Sequence, residues 1–260
     1  MSEPDRAVVK FSLTVGDREI EASARVPAGP VRVVDILPVL HSLASAVVAV
    51  GAEQARDEGK LISCRAGCWA ACCRHIVPIS EMDARYLAAL VEAMPEARRA
   101  QVAGRFRATV ARLEELGLIA KLREISRYTP AERLEIAVDY FYAGIACPFL
   151  EDESCSVYPA RPMVCREYLV TNPPENCASP TATNIEMVPL PAKPSLALYR
   201  FTNGIGEDKW RYLPLVLALE WAAEHAGDEQ PELPGPEILM NFLRRLAHLP
   251  KDWTPPPAQV

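Results

Sequence analysis

The sequence predicts a mainly α-helical chain with a short N-terminal β-hairpin and a proline-rich, cysteine-bearing loop segment tied by a metal site. Three observations predict it. Apolar residues recur at helical spacing over most of the chain, one pair of alternating stretches opens it, and eight cysteines divide four and four around a helical insert. At 260 residues the chain can bury a core without covalent help, so its size does not demand disulfides.

Taken in order, "AVVKFSLTV" (7–15) and "REIEASARV" (18–26) alternate loosely about Gly16-Asp17, the pattern of two strands joined by a tight turn. Helical periodicity follows over 34–58, with Gly59 as the stop. Ser80, with Asp83 three residues on, has the spacing of a capping box and opens a helix over 80–93. Pro95 opens another that runs toward Gly117, because a proline in the first turn gives up an N–H that would be unpaired there anyway. Thr129-Pro130 caps "AERLEIAVDYFYAGIA", whose apolar positions share one face and which delivers the chain to Cys147.

Residues 148–194 change texture: nine prolines, little periodicity and one short helix over 162–169. Two amphipathic helices, over 207–225 and 236–247, precede a proline-rich tail. The predicted organisation is a hairpin at 1–33, a cysteine-cluster metal-binding domain at 34–194 with a helical insert at 80–146, and a helical extension at 195–260.

The opening "MSEPDRAVVKFSLTVGD" has no basic segment leading into a continuous apolar run, so no secretory signal is read and a cytoplasmic, reducing location is expected. The most apolar run, "ILPVLHSLASAVVAV" (36–50), is interrupted by Pro38, His41, Ser42 and Ser45 and falls short of the ~20 residues of a bilayer span. It reads as a buried helix. Twenty-eight basic against 34 acidic residues give a net charge of −6 with no polybasic tract, which argues against nucleic acid or an anionic membrane. A protein or a small molecule is the expected kind of partner.

The cysteines run C-x3-C-x3-C-C (Cys64, Cys68, Cys72, Cys73), then after 73 residues C-x7-C-x9-C-x11-C (Cys147, Cys155, Cys165, Cys177). A disulfide set, a metal or iron–sulfur site, a reactive thiol and plain core packing are the four readings of such a pattern. Inert core thiols would not gather into two groups, and a reducing location disfavours disulfides, so the pattern favours metal. A straight helix over 64–72 would hold its end cysteines about 12 Å apart at ~1.5 Å per residue. Ligands of one tetrahedral ion lie within about 4 Å of each other, given metal–sulfur bonds near ~2.3 Å. The loop must therefore fold round the metal, with Gly67 as the bend, or the eight thiols must serve more than one centre. The two groups are expected to meet in space.

Arginines follow three cysteines directly (Arg65, Arg74, Arg166), and Arg161 lies close by. Guanidinium groups around several thiolates would lower the thiol pKa values and offset the charge. His75 is expected beside a centre already complete in thiols, and Trp69, Phe149, Tyr158 and Tyr168 as its walls.

"CRAGCWAACC" followed by "CPFLEDESCSVYPARPMVCREY" resembles the YkgJ-type cysteine-cluster family, the CxxCxxCC proteins, over residues 64–170. The resemblance implies a zinc- or iron-chelating domain. Its cysteines carry over as Cys64, Cys68, Cys72, Cys73, Cys147, Cys155 and Cys165, with Arg161, Pro162 and Arg166 as companions. The first group departs from the family pattern, having x3 twice where the family has x2, which leaves open which of Cys72 and Cys73 faces the metal.

The first functional reading is a cytoplasmic protein holding an iron–sulfur cluster, 4Fe–4S by ligand type, or a zinc ion, structural or redox-active. Cys147-Pro148 is similar to the Cys-Pro end of ferredoxin-type motifs and favours the cluster. The second is a methyltransferase-like or thiol-redox enzyme, since the family's relatives include flagellin lysine N-methylase, with Cys73 or Cys177 as a reactive thiol. No Gly-rich turn after a strand marks a bound methyl donor. The third is a metal-stabilised module for protein interaction.

Overall fold

The computed structural model describes residues 5–15, 18–65, 68, 71–180, 183–202, 205–206 and 212–247. Strands β1 (Arg6–Val15) and β2 (Arg18–Pro27) pair antiparallel, from Arg6 opposite Pro27 to Val15 opposite Arg18. Alternation turns Leu13 and Val26 into the core. The turn expected at Gly16-Asp17 lies outside the described residues.

Helix α1 (Val33–Asp57) buries Val33, Ile36, Leu37, Leu40, Ala44 and Val47, a stripe at the spacing of one helical face. At 25 residues it is long and apolar enough to cross a membrane by length and composition alone. Here that stripe packs against the hairpin and against helices introduced below. Its start is held by Asp35, which accepts from the Arg32 N–H at 3.1 Å and from the Arg32 guanidinium at 2.8 Å.

Helix α2 (Glu81–Glu92) opens at Ser80, whose hydroxyl oxygen accepts from the Asp83 N–H at 2.9 Å. Helix α3 (Glu96–Glu115) starts after Pro95 and stops before Gly117, which has φ +67°. A short α4 (Ile119–Arg123), not expected from the pattern, follows. Helix α5 (Pro130–Tyr142) has the Thr129/Glu132 capping box and ends at Gly144 (φ +66°), so it stops before reaching Cys147.

Within 148–194 the chain forms α6 (Met163–Glu167) and a 3-10 turn at Pro174–Ala178, and α7 (Pro194–Tyr199) starts at its end. Helices α8 (Ala218–Glu224) and α9 (Gly235–Ala247) complete the fold. The helix expected over 207–225 is therefore shorter. Residues 207–211 lie outside the described set, Leu213–Pro214 instead pairs with Pro78–Ile79, and Leu215–Leu217 is a 3-10 turn. Pro214 explains the late start, since it lacks the N–H that a helix interior needs.

Two cores result. One lies among α2, α3, α4, α5 and the 213–218 segment, with Leu87, Leu113, Leu122, Tyr140 and Phe149 fully buried. The other joins the hairpin, α1, α7 and α9 through Val26, Leu40, Phe201 and Phe242. Helices α2 and α6 touch both: Leu87 and Val164 face the first, Met82 and Met163 the second. Gly235 allows α9 to start against the hairpin, because a Cβ there would stand 2.3 Å from the Pro27 carbonyl oxygen.

Candidate metal centre

The chain leaves α1 at Gly59 (φ +79°) and reaches Cys64. Residues 71–74 form a 3-10 turn, so the segment from Cys64 to Cys73 is not the straight helix that would hold its sulfurs apart. The Cys147 N–H donates to the Cys73 carbonyl at 2.7 Å and brings the second group to the first. A two-residue ladder, Leu150–Glu151 with Ser154–Cys155, turns through Asp152 (φ 46°) and Glu153 (φ 56°) and presents Cys155. One turn of α6 then delivers Cys165.

These elements enclose a cavity of about 140 Å³ lined by Cys64, Cys68, Cys72, Cys73, Cys147, Cys155 and Cys165. Phe149, Tyr158 and Tyr168 contribute to its walls, and Trp69 lies outside the described residues. Cys177 does not line it; with Cys64, Cys68 and Cys72 it lines a neighbouring cavity of about 20 Å³. Among the described residues no three His, Cys, Asp or Glu side chains already converge closely enough to hold an ion. The thiols surround a space rather than a point.

Burial disfavours the thiolate form at Cys64, Cys147, Cys155, Cys165 and Cys177. It raises Cys64 to about 11 and Cys147 to about 12, and it raises Cys155, Cys165 and Cys177 as well. Cys72 is held well above the ordinary thiol value by its hydrogen bond with Cys73 and then by burial. Metal uptake must therefore displace protons.

Of the four arginines, Arg161 acts most directly on the thiols: its charge pulls Cys72 and Cys155 downward, and its guanidinium stands 4.0 Å from the centroid of the Tyr158 ring. Arg74 forms a two-point pair with Glu153 at 2.7 and 3.0 Å. Arg166 turns away, donating to the Pro159 carbonyl at 2.6 Å and to Ser45 Oγ at 3.1 Å, and Arg65 is exposed. His75 stacks on Phe141 with ring centroids 4.9 Å apart. Burial lowers its pKa to about 4, leaving a neutral imidazole whose buried Nε2 has no hydrogen-bond partner and which lines the same cavity as the thiols.

The donor set fits a soft metal. Seven thiols and an unpartnered imidazole nitrogen line the large cavity and, among the described residues, no carboxylate does, which suits zinc or iron–sulfur chemistry rather than calcium or magnesium. Residues 63–184 match the family model CxxCxxCC, described as "Putative zinc- or iron-chelating domain". This stretch is similar to the CxxCxxCC domain. The match reaches past the motifs at 64–170 to take in Cys177, and it supports metal binding in general. No curated protein and no solved structure matches the chain.

Some of the cavity's lining was not legible in the motifs. Ile76, Val77 and Leu215 line the large cavity from scattered positions, and the Val170 N–H donates to Cys64 Sγ at 3.3 Å across 105 intervening residues. An unpatterned backbone donor leaves no mark in a sequence.

Proposed function

We propose that the CxxCxxCC domain holds a 4Fe–4S cluster in the large cavity, in a cytoplasmic protein, and that this centre ties down the proline-rich segment 148–194. The observation that carries the reading is the wall of seven thiols from two groups on one cavity without a carboxylate. A cubane takes four cysteine thiolates and needs more room than a lone ion. When bound, such a cluster supplies four metal–sulfur bonds and one-electron chemistry.

The chain's own part is to place the sulfurs and to exclude water. Cys73 and Cys147 are joined through the Cys147 N–H and the Cys73 carbonyl, Cys155 comes from its two-residue ladder and Cys165 from α6, while Phe149 and Val157 close the wall. Segment 148–194 has little apolar periodicity to set against the ordering cost of ~1 to 2 kcal/mol per residue, and bonds from Cys147, Cys155 and Cys165 would add to what its buried side chains supply. The reactive-thiol enzyme reading receives no support at Cys177, because burial raises that thiol, the reverse of an activated nucleophile.

Anaerobic purification followed by a visible spectrum and analysis for iron, acid-labile sulfide and zinc tests the proposal. A brown protein with iron and sulfide is the expected result. Zinc without iron would replace the cluster by a zinc ion on the same thiols, and the absence of both would remove the metal reading.

A further inference from the structure

We propose that Cys64, Cys68, Cys72 and Cys177 form a second metal site, a four-thiolate cage for one soft divalent ion such as Zn²⁺, separate from a main centre held by Cys73, Cys147, Cys155 and Cys165. This rests on the metal-binding reading above and adds a site to it.

Four observations carry the division. The first is the small cavity itself, whose cysteine lining is Cys64, Cys68, Cys72 and Cys177. Its volume of about 20 Å³ exceeds the ~10–15 Å³ that one water-sized sphere occupies and leaves no space for a cubane. Zinc takes four ligands in a closed structural site, and four thiols are present.

The second is packing. Cys177 is buried with Ala71 and Val170 in a small apolar cluster on which Cys64 packs, whereas Cys147 belongs to the first core, on which Cys73 and Cys155 pack. Cys64 and Cys177 thus sit in different apolar surroundings from Cys73, Cys147 and Cys155.

Third, the small site has its own hydrogen-bond donors. The Val170 N–H donates to Cys64 Sγ at 3.3 Å, and Asn172 Nδ2 lies 3.8 Å from Cys177 Sγ. Donors aimed at sulfur favour the thiolate form and fix its direction, as outer partners do around metals.

The fourth is the vicinal pair. The 3-10 turn at Ala71–Arg74 packs against the 3-10 turn at Pro174–Ala178, which carries Cys177. Cys64, Cys68 and Cys72 line both cavities, Cys73 lines the large one and not the small, and Cys177 the small one and not the large, which is the basis for assigning the adjacent cysteines to different centres. On uptake each thiol passes its proton to solvent and its sulfur binds the ion, with no change of oxidation state.

The test is the metal content of the full chain as purified, by elemental analysis. Wild-type protein should carry one more metal ion than its main centre accounts for, and Cys177→Ser and Cys64→Ser should each lose that one ion while keeping the main centre's iron or zinc. Cys155→Ser should lose the main centre and keep the single ion. Wild-type protein carrying the main centre alone, or a folded Cys177→Ser with the full wild-type content, would overturn the second site and leave the main centre standing. Wild-type protein without any metal would overturn both.

Discussion

The backbone N–H of Cys147 donates to the carbonyl of Cys73 at 2.7 Å, across 73 intervening residues. Because the bond is made by main chain, it does not depend on either sulfur. Cys147→Ser, Cys155→Ser and Cys165→Ser should each weaken metal binding by more than the ~10–100-fold that loss of an outer partner brings, while helical circular dichroism is retained. Equilibrium dialysis against zinc or iron measures it, and unchanged affinity in two of the three would contradict the ligand assignment.

Removing metal should open one segment first. Chelation or oxidative loss is expected to expose 148–194 to protease, while α9 and the hairpin, packed with α1 in the second core, stay protected. Mass spectrometry of limited digests locates the cuts. Equal protection of apo and loaded protein would make the centre a passenger on a self-sufficient fold.

Glu151 fastens the Cys155 ladder to α3, accepting from Arg98 and from Arg105 at 2.5 Å. The Arg98 hydrogen bond, aided by Arg105, lowers its carboxyl from 4.5 to about 2. A carboxyl depressed in the folded state stabilises fully above its unfolded value and loses that contribution as pH falls through its folded value. Glu151→Gln should therefore cost on the order of 1 kcal/mol at neutral pH, given partial exposure. The gap to wild type in urea midpoint should close as pH falls from about 4.5 to about 2. A gap that stays constant over that range would show that the charge is not what matters.

Asp83 is the buried joint of the two cores. It meets His41 Nε2 at 3.0 Å, accepts from the Ser80 hydroxyl at 2.9 Å and from the Met163 N–H at 3.4 Å. Asp83→Ala strands these partners away from water and should cost about 3 to 5 kcal/mol. Chemical denaturation measures the loss, and a cost below about 1 kcal/mol, the size of an exposed pair, would mean the site is solvated.

Gly235→Ala should destabilise by about 1 to 3 kcal/mol, since the added carbon meets the Pro27 carbonyl oxygen and the chain must shift. Hydrogen exchange should rise first in the hairpin. An unchanged melting temperature would show that the start of α9 can slide.

How much of this was readable beforehand depended on whether the controlling interactions are local. The Thr129 cap, the Ser80 cap and the α1 stripe depend on neighbours within four residues, and each appears at its sequence position. Leu213–Pro214 pairing with Pro78–Ile79 depends on a partner about 135 residues away, which periodicity in a short window cannot register. At the candidate centre the cysteines announced themselves by spacing, but the small cavity at Cys177 arises from two turns meeting in space. Arg166 illustrates the same limit: adjacent to Cys165 in sequence, it reaches for Ser45 on α1 instead.

Five consecutive residues of α6 grip five different places. Met163 enters the hairpin core and Val164 packs on the other, Cys165 faces the thiol-lined cavity, Arg166 holds α1 through Ser45, and Glu167 accepts the Ser195 N–H and hydroxyl of α7, each at 2.6 Å. A keystone of this kind has no slack. A pull on the Cys165 sulfur reaches the helices on both sides within one turn, so α1 and α7 lie next to the cavity's occupant without any relay of intermediate residues.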